Sequence, residues 1–215
     1  MQEALIVWGG WAGHEPEQCA AVVAGLLQDA GFKTYLENTT EAFADPSIAE
    51  LSLIVPIFTM SKIEKEELDN LTRAVAGGVG LAGFHGGMGD AFREAVEYQF
   101  MVGGQWVAHP GNIIDYTVDI TKPDDPVMQG LPLHFPYRSE QYYMHVDPSN
   151  DVLATTRFNG DHASWIDGVV MPVVWKRRHG EGRVFYSSLG HVAQEFEQTE
   201  MREILRRGML WAARD

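Results

Sequence analysis

Short apolar runs, each leading into a segment of helical spacing, restrict this chain more than any other feature. Ala4-Leu5-Ile6-Val7-Trp8 closes on Gly9-Gly10, Leu51-Ser52-Leu53-Ile54-Val55 is nearly all apolar, and Gly80-Leu81-Ala82-Gly83-Phe84 stops at His85. Apolar runs this short, without polar alternation, fit strands buried on both faces. After the first run, Pro16 opens a helix in which Val22, Val23, Leu26, Leu27 and Ala30 recur at helical spacing, and Gly31 closes it. Lys33 to Leu36 makes another strand. Ser61-Lys62-Ile63-Glu64 has the form of a capping box for a second helix, which carries Leu68, Leu71 and Val75 and ends at Gly77-Gly78. A third helix is expected from about Asp90. Strand and helix in alternation imply a parallel sheet covered on both faces.

The second half has another rhythm. Ile113 to Ile120 alternates apolar and polar side chains, the mark of a half-buried strand. Tyr142 to Val146, Val152 to Thr155, Met171 to Trp175 and Val184 to Tyr186 are further strands, and Met201, Ile204, Leu205 and Met209 mark a final helix. Lys122-Pro123-Asp124-Asp125-Pro126 is too short for a domain linker, so the expectation is one α/β domain over residues 1–215.

Charge and cysteine content narrow the partners. Thirty acidic against 16 basic residues give a net charge of −14, which argues against nucleic acid and anionic membrane surfaces. No stretch approaches the ~20 apolar residues that span a bilayer. Met1-Gln2-Glu3 begins no signal peptide, so a soluble cytoplasmic protein is expected. Cys19 is the only cysteine, which excludes an internal disulfide and a thiolate metal cluster. Apolar surface on a chain with six Trp and nine Met could support a homodimer.

The chemistry centres on Gly83-Phe84-His85-Gly86-Gly87, where a strand ends in one side chain between glycines, as in a nucleophile elbow. A histidine there cannot form a stable acyl intermediate. It can ligate a metal or move protons near neutral pH. His191 follows another strand in Ser187-Ser188-Leu189-Gly190-His191. In Ser139-Glu140-Gln141-Tyr142-Tyr143-Met144-His145, strand alternation puts Tyr142 on the face of Glu140 and His145 on the opposite one. Gly103 to Pro110 is expected to be a loop presenting Trp106 and His109. His14 lies in the turn Gly9-Gly10-Trp11-Ala12-Gly13-His14, which lacks the Lys-Ser/Thr of a P-loop and the dinucleotide spacing, so no nucleotide cofactor is expected. His134, His162 and His179 are expected in polar loops and receive no role. No two histidines show a tight metal-binding spacing. A ligand set of His85, Glu140 and His191 would be assembled by the fold, and its donors suit Zn, Mn, Fe or Ni.

Five ordered motifs complete the picture: the His85 elbow, Gly103-Gly104 with His109-Pro110, Ser139-Glu140-Gln141-Tyr142, Met171-Pro172-Val173-Val174-Trp175, and Gly182-Arg183-Val184-Phe185-Tyr186 leading into Ser187 to His191. Together they resemble the ThuA-like proteins of trehalose utilisation. The resemblance implies a class I glutamine amidotransferase-like fold: a flavodoxin-like three-layer sandwich with a mostly parallel central sheet, here with extra strands in the second half. It also implies a part in the catabolism of trehalose and related disaccharides and their 3-keto derivatives. The amidotransferases need a cysteine at the elbow where this chain has His85, so amidotransferase activity is expected to be absent.

The functional expectation is an enzyme acting on a 3-keto sugar through enolisation, followed by elimination or isomerisation. His85, His191 and Glu140 are the candidate catalytic residues, and Tyr142, His109, Trp106 and His14 the candidate substrate contacts. The alternatives are a non-catalytic sugar-binding or regulatory protein on the same scaffold, and a metal-dependent glycoside hydrolase, for which only Glu140 is nominated of the usual two carboxylates.

Overall fold

A computed structural model describes residues 1–215. Its first half alternates β1 (Glu3–Gly10), α1 (Pro16–Asp29), β2 (Lys33–Glu37), β3 (Leu53–Thr59), α2 (Lys65–Ala76) and β4 (Gly80–Phe84). A single helical turn, α3 (His85–Gly89), and α4 (Val96–Val102) follow. Then come β5 (Gly104–Ala108), β6 (Ile113–Ile120), β7 (His134–Glu140), β8 (Tyr143–Val146), β9 (Asp151–Arg157), β10 (Val170–His179) and β11 (Gly182–Ser187), with α5 (Thr199–Ala212) last.

Nine strands form one sheet in the order β2-β1-β3-β4-β11-β10-β9-β6-β7. The first five run parallel, in the order typical of flavodoxin-like sheets. The remaining four extend the sheet with antiparallel pairing. β5 and β8 pair as a separate two-stranded ribbon. The α/β three-layer architecture, with its extra strands in the second half, is the one the sequence led us to expect.

Strand alternation sorts the core into two layers. Ala4, Ile6, Leu53 and Val55 pack under α1 and α5 through Val23, Leu27, Ile204 and Leu205. Leu5, Val7 and Ile54 point the other way, onto Leu68, Leu71 and Val75 of α2 and Met101 of α4. Because both faces are covered, the parallel strands carry apolar residues at successive positions.

Several local expectations need correction. The capping box is formed by Glu64 and Glu67, three residues beyond the Ser61–Glu64 pair, and α2 starts at Lys65. The backbone N–H of Ser61 is instead taken by the carbonyl of Ala91. Gly103 to Pro110 is not a loop throughout, because Gly104 to Ala108 pairs with β8. The helix expected from Asp90 is replaced by α3, which begins at His85, and by α4 from Val96. His134 and His179, assigned to loops, are the first residue of β7 and the last of β10. No helix is long and apolar enough to cross a membrane.

α5 approaches the sheet most closely at Gly208, where an added Cβ would lie 2.3 Å from the buried ring of Phe185. Alanine favours a helix interior over glycine by about 1 kcal/mol, but overpacking costs ~1–3 kcal/mol. With so deep an overlap the clash wins. Gly208→Ala is expected to destabilise the fold by about 2 kcal/mol, read as a lowered midpoint in urea at unchanged m value.

Candidate functional site

The site gathers at the carboxyl ends of the parallel strands, where ligands of open α/β sheets bind. β4 delivers His85. Its φ of +46° lies in the left-handed region that non-glycine residues seldom adopt, so the imidazole stands on a sharp strand-to-helix bend. Gly86 is required beside it: a Cβ there would sit 2.6 Å from Cε1 of His14 and 2.9 Å from Cγ2 of Thr59. The missing side chain lets His14, in the turn after β1, and Thr59, at the end of β3, pack against this bend.

His85 is only 1% exposed, and its tautomer follows from its partners. Nδ1 lies 2.9 Å from the carbonyl oxygen of Ser188, which can only accept, so Nδ1 carries the proton. Burial, partly opposed by the nearby Glu140 carboxylate, lowers its pKa to about 4, and the ring is neutral near pH 7. Its remaining lone pair, on Nε2, then faces Oε2 of Glu140 at 3.1 Å and Nδ1 of His191 at 3.2 Å. The ring of Tyr142 stacks on it at 4.1 Å between centroids.

The other members converge on the same carboxylate. Nδ1 of His191 is 3.4 Å from Oε2 of Glu140, and Nε2 of His14 is 3.9 Å from it. Nδ1 of His14 bonds the Thr59 hydroxyl at 2.8 Å, whereas its buried Nε2 has no hydrogen-bond partner. On the open side, Nε2 of His109 lies 3.6 Å from Oε1 of Glu140, with 27% of that side chain exposed. Burial works against an ionised Glu140, but the surrounding imidazoles of His14, His191 and His85 outweigh it and hold the carboxyl well below the usual range. Burial likewise opposes a charged His191, yet the hydrogen bond and charge of Glu140 raise its pKa above the ordinary value.

One ligand atom from each of His14, His85, Glu140 and His191 falls within 4.8 Å of every other. Metal bonds of about 2.0–2.2 Å put tetrahedral donors ~3.4 Å apart, so with a small inward movement the four side chains could hold a divalent ion. Second contacts orient two of the imidazoles, Ser188 for His85 and Thr59 for His14, as outer partners of metal-binding histidines do. His85, Glu140 and His191 are thus brought together, with Tyr142 and His109 beside them. His14 joins the candidate ligands, although its sequence suggested a substrate contact. Trp106 lies farther out, tilted against His109 at 5.5 Å. His145 is exposed on β8, away from the cluster.

Sequence reasoning missed Glu195. Its carboxylate accepts hydrogen bonds from the Tyr137 hydroxyl at 2.5 Å, the Ser139 hydroxyl at 2.8 Å and the His191 backbone N–H at 3.0 Å. It thereby clasps the turn bearing His191 to β7, which bears Glu140. Glu15 plays a lesser version of this part, accepting from the Ala193 N–H at 3.1 Å. Neither carboxylate belongs to a motif, and only the long-range fold reveals them. Stranding those donors should cost Glu195→Ala about 2–3 kcal/mol, measured by chemical denaturation, and Glu195→Gln about half of that.

The comparisons with known proteins come to bear here. A ThuA-like protein from Bacteroides uniformis superposes with a TM-score of 0.81 at 19% identity, covering 98% of this chain and 91% of that one. One from Parabacteroides merdae gives 0.79 at 20%, covering 98% and 89%. A cold-adapted β-galactosidase from Rahnella sp. R3 gives 0.58 at 16%, with 99% of this chain on 30% of that much longer one. At such identities the likeness is one of fold. No curated protein matches the sequence significantly. A family model described as trehalose utilisation matches residues 3–212, and the chain belongs to this family, ThuA.

Proposed function

We propose that this chain is a sugar-catabolic enzyme acting on an oxidised disaccharide or glycoside, a 3-keto derivative of a trehalose-type sugar, with a divalent metal held by His14, His85, Glu140 and His191. The convergence of three imidazoles on one buried carboxylate carries the reading, and the family's association with trehalose supplies the substrate class.

The residues fit a metal on two observations. Nε2 of His14 is buried without a partner, and the lone pair of His85 faces an acceptor-only carboxylate oxygen at 3.1 Å. A cation between the groups would relieve both arrangements. Bound there, such an ion would supply Lewis-acid polarisation of a carbonyl oxygen.

The remaining roles belong to side chains that a substrate can reach. A C3 carbonyl acidifies the C2 hydrogen, and we assign His109 to accept that proton, because its imidazole is partly exposed beside Glu140 and 3.6 Å from it. The electron pair of the C2–H bond becomes the C1–C2 double bond as the C1–O bond breaks, and the leaving oxygen takes up a proton. Reprotonation of the enolate without loss of the C1 substituent gives isomerisation from the same parts. Tyr142, buried and stacked on His85, fixes the position of that ring rather than meeting the sugar. His85, at 1% exposure, holds the arrangement and does not touch the sugar.

Metal analysis of the purified protein, combined with turnover of 3-keto-trehalose, tests this reading. One equivalent of a divalent metal is expected, with turnover lost to EDTA and restored by metal. His85→Ala and Glu140→Gln should lose the metal. His109→Asn should keep it while kcat falls by about 10²–10⁴. Sugar binding without turnover, unaffected by chelator, would show a binding protein instead, and full activity in His109→Asn would remove its role.

A further inference from the structure

Trp11 has no place in the cluster, yet it is among the few large apolar side chains that face solvent beside it. The residue follows the last glycine of β1, and its backbone N–H donates to the Thr59 carbonyl at 3.0 Å, tying it to the end of β3. The indole folds back over Gly13, where a Cβ would lie 2.6 Å from the ring. Its ring meets that of His14 edge-on at 4.8 Å between centroids, and the His14 ring in turn lies 4.7 Å from that of His85. Held on these sides, the indole still leaves 47% of the residue exposed.

An exposed indole face can cover the apolar C–H surface of a ligand while its other end stays wet. Trp106, the tryptophan first expected to meet sugar, offers less. The guanidinium of Arg93 lies over its ring at 4.8 Å, and its indole nitrogen is buried without a partner. Trp165 is more exposed than either, but it lies in a short helical turn with no contact to the four candidate ligands. Trp11 alone joins an exposed ring to direct contact with a member of the cluster.

We propose that Trp11 is the platform for the second ring of the substrate, the sugar attached through C1 of the ring that undergoes chemistry. This rests on the keto-sugar reading given above. The C–H face of a pyranose packs on the free indole surface, while the oxidised ring sits at the open side of the cluster, where His109 lies. The platform makes the enzyme selective for disaccharides over glycosides with a small C1 substituent. Trp11 acts on binding and is no part of the proton transfers.

Steady-state kinetics of Trp11→Ala and Trp11→Phe on 3-keto-trehalose and on methyl 3-keto-α-glucoside, which lacks the second ring, test the proposal. Trp11→Ala should raise KM for the disaccharide about ten-fold, with kcat, metal content and KM for the methyl glycoside nearly unchanged. Trp11→Phe should recover most of the loss. Unaltered KM for the disaccharide overturns the platform while leaving the keto-sugar reading intact. Equal weakening of both substrates, or lost metal, also overturns it, because Trp11 would then only support His14. Should the wild type turn over neither sugar, that reading fails, and calorimetric titration with trehalose decides the platform alone: at least ten-fold weaker binding in Trp11→Ala upholds it, and equal or absent binding rejects it.

Discussion

The carboxylate of Glu140 is the one anion on which the imidazoles of His14, His85, His109 and His191 all converge. Taking a charge out of water costs several kcal/mol, repaid only when every lone pair finds a partner. Each imidazole is therefore placed to serve the same group, and each comes from a different element. β1, β4 and β11 are parallel strands of the central sheet, whereas Glu140 ends β7 at the far edge of the antiparallel extension. The extra strands thus have a purpose within the fold: they carry the negative charge back over the ends of the parallel strands.

The elbow at His85 places this site within a wider scheme. A strained residue at the end of a central strand, flanked by glycines, presents its side chain at the mouth of the sheet. In this chain the position holds an imidazole whose backbone carbonyl is secured by the Tyr186 hydroxyl at 3.0 Å. The only thiol, Cys19, is buried in α1, with its pKa pushed up to about 12 by burial and then by the charges of Glu15 and Glu195. The same backbone device is thus combined with a group that ligates or transfers protons.

Much of this was legible from residue order. Continuous apolar runs gave away the parallel strands, and the glycines around His85 marked its bend. β7 escaped notice although Phe135, Tyr137 and Ser139 are buried in alternation, because Pro136 argues against a strand. At a sheet edge a proline is tolerated, and here the Gln198 side chain donates to its carbonyl. The box at Ser61 failed for a different reason. Glu64 and Glu67 satisfy the same spacing one turn later, and tertiary pairing of Ser61 decides between the two. His14 looked peripheral because its turn imitates a phosphate cradle, and only the adjacency of β1, β3 and β4 in the sheet brings it to Glu140. Glu195 carried no local signal at all.

The strand order also bears on how the chain becomes a protein. β11, the last strand, is threaded between β4 and β10 in the middle of the sheet. Until residues 182–187 arrive, β4 exposes an unpaired row of backbone groups on its inner flank, an edge that invites wrong partners. Pairing across such sequence distances is slow. The strand that closes the sheet also leads into the turn bearing His191, so the side chains around Glu140 are brought together only where the sheet is complete.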